Sequence, residues 1–316
     1  RNTRSEQQLS GADKLVTERR YDSADRQIAI AHSKQSSSGT TLVAGQAITR
    51  GQGGAVSRID TFDNGASFDA GTGAFSGNPT RVQTFGYDAN ARLQSEKEYK
   101  GADIAALQAN VNAPATQATT YGYDAVGNRI SKTVTTSAGT ESTTYVYDAN
   151  DRLTSETLST ATGSTVATTY TWDGNGNLAS KTTPIEHTAY VFDADNRLVE
   201  VKRGASSSTA NTIAKYGYDA DGQRVRKETA SGIVNYLIDP TTTWPQVVLE
   251  TKGSQRTAYT WGDQLRQQAR GAAGSANSAP MEALIPLQGH LGTTIAAVGA
   301  SGNAMERYEA AAFGEL

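Results

Sequence analysis

A short phrase that joins an aromatic residue to an aspartate recurs along this chain. It constrains the fold more than any other feature of the sequence. "YGYDAVGNRISK" (121–132) returns almost unchanged as "YGYDADGQRVRK" (216–227). Alignment on the aromatic–aspartate pair gives seven copies: Tyr21-Asp22, Tyr87-Asp88, Tyr123-Asp124, Tyr147-Asp148, Trp172-Asp173, Phe192-Asp193 and Tyr218-Asp219. From the third copy on, the spacing is 24, 25, 20 and 26 residues, so a repeated structural unit should set the architecture.

The residues around each copy have the pattern of a β-hairpin. "TTYVYD" (143–148) and "RLTSETL" (152–158) alternate in side-chain class, which is typical of strands with one covered face. The residues between them are rich in Asp, Asn and Gly, which favour tight turns. One hairpin is marginal in water, so the repeats are expected to stack edge to edge. The sequence predicts an all-β fold in which stacked antiparallel β-hairpins form a coiled sheet.

Composition agrees with this prediction and excludes several functions. Tyr outnumbers Phe 14 to 6, and the 31 Gly suit many turns. The net charge of −3 comes with no sustained basic stripe, so nucleic-acid binding is not expected. No apolar run is long enough for a membrane-spanning helix. The absence of cysteine excludes disulfides and thiolate metal sites. The first residues, "RNTRSEQQLS", lack an apolar segment and a Met, so we expect a processed or excised part of a longer protein.

The recurring aromatic and aspartate residues have two interpretations. They could form a row that binds a sugar or a metal. Alternatively, the aromatic ring packs on a neighbouring strand and the Asp closes the turn. Recurrence in every hairpin favours the structural interpretation, because a catalytic site is seldom copied along a chain.

The repeats resemble those of the Rhs, or YD-repeat, proteins, whose repeat reads Y-D-x-x-G-R-L or Y-D-x-x-G-N-R. "YDANDRL" (147–153) is similar to the first form and "YDAVGNRI" (123–130) to the second. The end of the chain, "GHLGTTIAAVGASGNAMERYEAAAFGEL" (289–316), resembles the family's conserved closing region. The residues that match its motif are Gly289, His290, Leu291, Gly292, Gly302, Tyr308, Phe313, Gly314 and Glu315.

The resemblance implies a sheet that spirals into a hollow β-shell, or part of one, around a toxic C-terminal domain, with the closing region as its seal. Some members of the family cut themselves with aspartates near a D-P-x-G-L sequence. That sequence is absent here, Gly289 stands where the family has Asp, and Ala312 stands where it has Pro. We therefore expect no autoproteolysis by this chain and assign no catalytic residue.

Four segments are predicted along the chain. Residues 1–119 hold entering repeats, a Gly- and Ser-rich segment (36–80) that is either a looped insertion or degenerate repeats, and a short helix within 101–114. Residues 120–263 hold the regular repeats. Residues 264–280 read as an exposed loop, and residues 281–316 form the closing segment.

Other candidate chemistry is weak. A hydrolase triad needs a histidine, and the three are expected to be a solvated His32, a strand-end His187 and a packed turn His290. The loop at Asp173 spaces its first acidic and amide residues like calcium ligands, but Leu178 and Pro184 occupy positions where a calcium loop needs Gly and Glu. We expect no metal and no cofactor.

The leading hypothesis is a non-enzymatic scaffold that encloses or presents a C-terminal toxic cargo, in interbacterial competition or insecticidal toxin delivery. It implies secretion or display at the surface of a bacterium. The expected partners are an enclosed toxin domain or other protein subunits, and open sheet edges allow self-association. The alternative is an extracellular structural or adhesive repeat protein that binds glycans or itself. An enzyme is the third possibility.

Overall fold

The computed structural model describes residues 1–262, 264–272 and 282–309, and these residues are nearly all β-structure. They form 26 strands, one α-helix and one short 3-10 helix. The prediction of an all-β fold is confirmed. Within these ranges, no helix is long and apolar enough to cross a membrane.

The strands follow one another with short connections. In chain order they are β1 (Asn2–Gln8), β2 (Lys14–Tyr21), β3 (Gln27–Ser36), β4 (Gly39–Arg50), β5 (Val56–Phe62), β6 (Ser67–Asp69), β7 (Ala74–Ser76), β8 (Arg81–Tyr87), β9 (Leu93–Lys100), β10 (Gln117–Tyr123), β11 (Arg129–Thr136), β12 (Gly139–Tyr147), β13 (Leu153–Ser159), β14 (Thr165–Trp172), β15 (Leu178–Thr182), β16 (His187–Phe192), β17 (Leu198–Gly204), β18 (Asn211–Tyr218), β19 (Arg224–Thr229), β20 (Gly232–Asp239), β21 (Gln246–Lys252), β22 (Gln255–Trp261), β23 (Leu265–Ala272), β24 (Glu282–Gln288), β25 (Thr294–Val298) and β26 (Ala304–Arg307). Helix α1 is Ala102–Ala109, and the 3-10 helix is Gln52–Gly54.

The chain divides into two compact units. The first unit comprises Arg1–Thr120, Val134–Ala138 and the chain from Glu282. The second unit comprises Tyr121–Thr133 and Gly139–Met281. The closing strands β24–β26 thus belong to the same unit as the first repeats.

In the first unit, β1 to β5 pair consecutively and antiparallel, β5 continues to β8, and β8 pairs with β9. Strands β6 and β7 form a separate small hairpin. Strands β24, β25 and β26 pair with one another antiparallel. Strands β4 to β7 fall within 36–80, which favours degenerate repeats over a looped insertion as the interpretation of this segment.

In the second unit, β12 to β23 pair consecutively, each antiparallel to the next. The prediction of stacked antiparallel hairpins is confirmed. The exposed loop predicted for 264–280 is wrong for Leu265–Ala272, which is strand β23. The loop was predicted from the polar side chains of this segment, but half-exposed strands also accept polar residues. Residues 273–280 lie outside the described residues.

Buried apolar clusters occur in the first unit. The largest joins Leu9, Leu15, Val43, Ala44, Ile285, Leu287, Ala296 and Val298. A second contains Ile104 and Leu107 of helix α1, packed with Val82 and Tyr99. The helix predicted within 101–114 is thus present, but it ends at Ala109, and Val111 is exposed. In the described part of the second unit, the buried hydrophobic residues are Tyr121, Val201 and Ala214.

Candidate functional site: the repeat turns and the docked closing segment

All seven aromatic–aspartate copies adopt the same turn. The main-chain N–H of each Asp donates to the carbonyl of the residue four positions later, at 2.9 to 3.0 Å. Its Oδ1 accepts from the N–H groups two and four positions later, at 2.8 to 3.1 Å. The carboxylate therefore satisfies turn donors that would otherwise depend on water.

The third residue after each Asp has a left-handed backbone. It is glycine in three turns, at Gly127, Gly176 and Gly222. In the other four it is not glycine: Asp25, Ala91, Asp151 and Asn196, with φ of 58° to 60°. Where the pairing is recorded, the register of the ladder shifts by one residue just before the aromatic residue. A type I turn followed by a bulge accounts for these features.

The residue four positions after the Asp completes the clamp in most copies. Arg152 places its guanidinium 2.7 Å from Asp148 Oδ2, and Arg26, Arg92 and Arg197 make the same pair in their turns. The N–H and the guanidinium of Arg152 hold the pKa of Asp148 below its ordinary value. The oxygens of such an aspartate already accept hydrogen bonds from the turn and the arginine, which leaves few lone pairs for proton transfer or metal binding.

In three of the copies, the aromatic residue links its repeat to the one before it. Its polar atom donates to the carbonyl of the residue five positions after the Asp of the preceding turn. The pairs are Tyr147 to Arg129 (3.0 Å), Trp172 to Leu153 (2.8 Å) and Tyr218 to Leu198 (2.7 Å). The guanidinium of Arg152 lies 5.9 Å from the Trp172 ring centroid, and that of Arg197 lies 5.3 Å from the Tyr218 centroid. The repeated pair is thus used inside the sheet.

Among the described residues, three turns of the same kind begin with glycine in place of the aspartate, so alignment on the aromatic–aspartate pair does not find them. They span 51–55, 289–293 and 299–303. Gly51, Gly289 and Gly299 stand in the Asp position, and each donates its N–H to the residue four later, at 2.8 to 3.3 Å. The signal that could have found them is a second glycine three positions on, at Gly54, Gly292 and Gly302, each with a left-handed φ.

Arg50 occupies the aromatic position of the turn at 51–55. Its Nη2 donates to the carbonyl of Gln27 at 3.1 Å, and Gln27 lies five residues after Asp22. In the next repeat, the Tyr87 hydroxyl donates to Val56, five residues after Gly51, at 2.9 Å. The link between neighbouring repeats therefore persists where the sequence motif does not.

The closing strands β24–β26 lie against β1–β4. Ile285, Leu287, Ala296 and Val298 supply one side of the largest buried cluster, and Leu9, Leu15, Val43 and Ala44 supply the other. Polar contacts surround it. Ser10 N–H donates to Ala300 at 2.9 Å, Arg307 Nη2 donates to the Val43 carbonyl at 3.1 Å, and Lys100 pairs with Glu309.

His32 lies at the centre of this contact with 3% exposure. Its Nε2 is 2.9 Å from the Gln288 carbonyl, and its Nδ1 is 2.8 Å from Thr17 Oγ1. A carbonyl can only accept, so Nε2 carries the proton and the Thr17 hydroxyl donates to Nδ1. Burial lowers the pKa of His32 to about 4, against the opposing effect of the Gln288 carbonyl and with a smaller contribution from Arg19.

The prediction that His32 is solvated is wrong. The residues after His32 are polar, but the preceding Ile28-Ala29-Ile30-Ala31 is an apolar run that indicates a buried strand. The partner Gln288 is 256 residues away, so the contact itself comes from long-range packing.

The glycine at the start of the closing motif has a steric reason. A Cβ at Gly289 would lie 2.6 Å from Gln46 Oε1 and 2.9 Å from Ile295 Cγ2, so a larger residue there would require both side chains to shift. The same Gln46 oxygen accepts the His290 N–H at 3.0 Å. Burial, and then the charge of Arg50, lower the pKa of the His290 ring. His290 is a hydrogen-bonded turn residue here.

The remaining predicted residues have varied environments. Leu291 is exposed at the tip of its turn, and Tyr308 donates its hydroxyl to Glu306. A Cβ at Gly302 would lie 2.5 Å from Leu9 Cδ1. Phe313, Gly314 and Glu315 lie outside the described residues.

Two other candidate sites have ordinary surroundings. His187 Nδ1 lies 2.8 Å from Thr182 Oγ1 on the neighbouring strand. Asp173 is bound by the backbone and side chain of Asn177. Across residues 1–262, 264–272 and 282–309, no group of three or more His, Cys, Asp or Glu residues could hold a metal ion.

The fold and its turns define a class: an all-β scaffold built from clamped hairpin repeats. Residues 88–237 match the family model of the Teneurin YD-shell, so the repeats in this part of the chain are similar to those of that family. The predicted YD-repeat relationship is confirmed. No curated protein matches the chain in sequence.

Solved structures of toxin complexes are similar to this chain at low identity. One is a TcdB2-TccC3-Cdc42 complex, with 13% identity, a TM-score of 0.35, and coverage of 90% of this chain and 19% of that one. Another is the Photorhabdus luminescens Tc holotoxin pore, with 14% identity, a TM-score of 0.31, and coverage of 96% and 18%. The chain therefore spans about a fifth of the length of these structures.

Proposed function

We propose that this chain is a non-enzymatic scaffold that encloses or presents a toxic protein cargo for delivery. The YD-shell repeats of residues 88–237 support a scaffold role. The observation that carries the proposal is the docking of the closing strands on the first repeats, between residues 256 positions apart. A chain whose end folds back on its beginning can hold a following segment in a defined place.

The mechanism is steric. A clamped hairpin sheet keeps its own hydrogen-bonding groups satisfied, and it separates a cargo from its targets without chemistry. The closing strands pack on β1–β4, and this surface of β1–β4 is their seat. Release requires the closing strands to leave the seat, or the cargo to be drawn out unfolded. The contact between β24–β26 and β1–β4 buries apolar side chains from both sides. The opening of this contact is therefore the step that would control release.

The proposal includes a location and partners. The chain acts outside the cell or on the surface of a bacterium. Its partners are an enclosed toxin domain or further protein subunits of the same complex.

Native mass spectrometry of the protein purified from its source tests this proposal. A co-purifying fragment that maps beyond Leu316 supports it, and limited proteolysis should leave that fragment intact. Leu287→Asp, at a side chain with 1% exposure, should expose the fragment to protease. Leu291→Asp, at an exposed position of the same segment, should not. A protein without any such fragment that assembles only with itself would contradict the proposal.

The alternative function, an adhesive or structural repeat protein, has less support. Glycan binding by the repeats would need free aromatic edges. The polar atoms of Tyr147, Trp172 and Tyr218 are instead bound to main-chain carbonyls within the sheet. Self-association of the purified protein would favour this alternative.

A further inference from the structure

The seat of the closing strands contains a buried histidine that can change its charge. His32 is joined to the first repeats through Thr17 on β2 and to the closing segment through the Gln288 carbonyl. Its two hydrogen-bond partners are a hydroxyl and a carbonyl, so neither carries the negative charge that an imidazolium would need. A buried cation without such a partner is unfavourable.

We propose that His32 is an acid-sensitive latch: protonation of its imidazole releases strands β24–β26 from β1–β4. The scaffold thereby gains a regulatory input that the repeats themselves do not supply.

The geometry explains why a second proton is costly. The neutral ring uses Nε2–H as a donor and Nδ1 as an acceptor. Protonation turns Nδ1 into a donor aimed at the Thr17 hydroxyl 2.8 Å away, so the hydroxyl must rotate and lose its present acceptor. The Gln288 carbonyl is the one group that still faces the ring favourably.

The charged surroundings of His32 increase this cost. Arg19, on β2, acts unfavourably on a protonated ring. On its own strand, Lys34 is paired with Asp13 at 3.0 Å. On the other side are Gln46 and Arg50 of β4, and His290 of the closing segment, whose own protonated form is disfavoured by burial and by Arg50. Acid therefore adds positive charge to a seat that already contains arginines.

The closing segment is the part that should yield. Strands β2, β3 and β4 are held to one another by ladders of eight registered residue pairs on each side of β3, each with one register shift. The closing strands pair with one another and meet β1–β4 through side-chain packing and a few hydrogen bonds. Water reaches a charged His32 at least cost when Gln288 moves away.

The latch concerns the same seat on which the proposed function rests, but it needs no cargo and can be tested on the chain alone. Hydrogen exchange measured by mass spectrometry at pH 8 and pH 5, with times scaled for intrinsic exchange, gives the opening of 282–309. With the ordinary histidine pKa in the open state and about 4 in the closed state, the opening constant should rise roughly 30-fold at pH 5. Residues 198–204 of the second unit are the reference and should change little.

His32→Gln keeps a donor and an acceptor but does not titrate, so it should remove most of the 30-fold rise. His290→Gln removes the other histidine at this contact and should retain the part of the rise that comes from His32. A wild-type rise no larger than the reference would overturn the latch, and so would a full rise in His32→Gln or its loss in His290→Gln alone.

If His32→Gln does not fold, the wild-type protein still decides the matter. Nitrogen NMR of the three histidines follows the protonation of His32 directly. A ring that becomes charged near pH 6.5 while 282–309 stays protected would exclude the latch. Either failure leaves the cargo proposal standing, and the absence of a cargo fragment would leave the latch untouched.

Discussion

The two units of this chain use the same hairpin and stabilise it by different means. The first unit buries aliphatic clusters, of which the largest joins the closing strands to the first repeats. The second unit has three buried hydrophobic residues in its described part, and its strands are mostly half-buried. It relies on clamped turns and on aromatic links between successive repeats.

This difference shows that a repeat can replace a core with many small local interactions. Each clamp is a set of hydrogen bonds of about 1 kcal/mol apiece. A buried leucine contributes several times as much at one position. A single core substitution should therefore lower the stability of the first unit strongly. A single substitution in a turn of the second unit should remove only a small part of its stability.

The largest expected effect tests the core of the first unit. Leu287→Ala should lower the free energy of unfolding by about 2 to 5 kcal/mol, because it removes a side chain with 1% exposure from the shared cluster. Leu291→Ala, four residues away and 74% exposed, should change it by about 0.5 kcal/mol or less. Urea unfolding measures both. Equal effects would contradict the assignment of the seat.

Acid should lower the stability of the two units over different pH ranges. The depressed pKa of His32, about 4, means that the folded first unit binds fewer protons than the unfolded chain. The contribution of neutral His32 to the free energy of unfolding is fully present above pH 6.5 and is lost as the pH falls to about 4. The loss is about 3 kcal/mol at most. Four turn aspartates of the second unit, Asp124, Asp148, Asp173 and Asp193, have lowered pKa values, so their contribution is lost only as the pH falls below about 4.

All three tryptophans, Trp172, Trp244 and Trp261, lie in the second unit. Tryptophan fluorescence therefore reports that unit, while hydrogen exchange of 282–309 reports the first. The exchange should respond at pH 5 while fluorescence remains native. A fluorescence change that precedes the exchange change would reverse the predicted order.

A single clamp should have a moderate effect. Asp219→Ala removes the acceptor of two turn N–H groups, at 3.1 and 2.8 Å, and should cost about 1 to 2 kcal/mol. Asp221→Ala, in the same turn, removes a carboxylate without this role and is the control. Thermal unfolding followed by tryptophan fluorescence gives the comparison. A loss as large as that of Leu287→Ala would show that the clamps are not independent.

The smallest effect concerns the left-handed turn position that both units share. Ala91→Gly, at φ 60°, should stabilise the first unit by up to about 1 kcal/mol, because it removes a strained backbone conformation. Gly222→Ala, at φ 78°, should destabilise the second unit by a similar amount. Differential scanning calorimetry of both variants checks the pair. Shifts of the same sign would show that the two turns differ.

The sequence predicts what is local and misses what is distant. The hairpins around Tyr147-Asp148 follow from alternation and turn residues within a dozen positions. The turn at 51–55 escapes a search for aromatic–aspartate pairs, because backbone bonds and two glycines preserve its shape. The burial of His32 depends on Gln288, and no pattern near either residue records that contact. The closing motif is predicted by family resemblance, but the reason for Gly289 emerges only from Gln46 beside it.

The aromatic links also determine an order of assembly. Each donor, such as Trp172, seeks a carbonyl that was synthesised 19 residues earlier, so every repeat can anneal to a finished neighbour while the polypeptide is still emerging. The contact of His32 with Gln288 has to wait for the synthesis of 256 further residues. Closure thus follows the assembly of the repeats, and a product truncated before Glu282 would carry an ordered sheet to which no closing strands are bound.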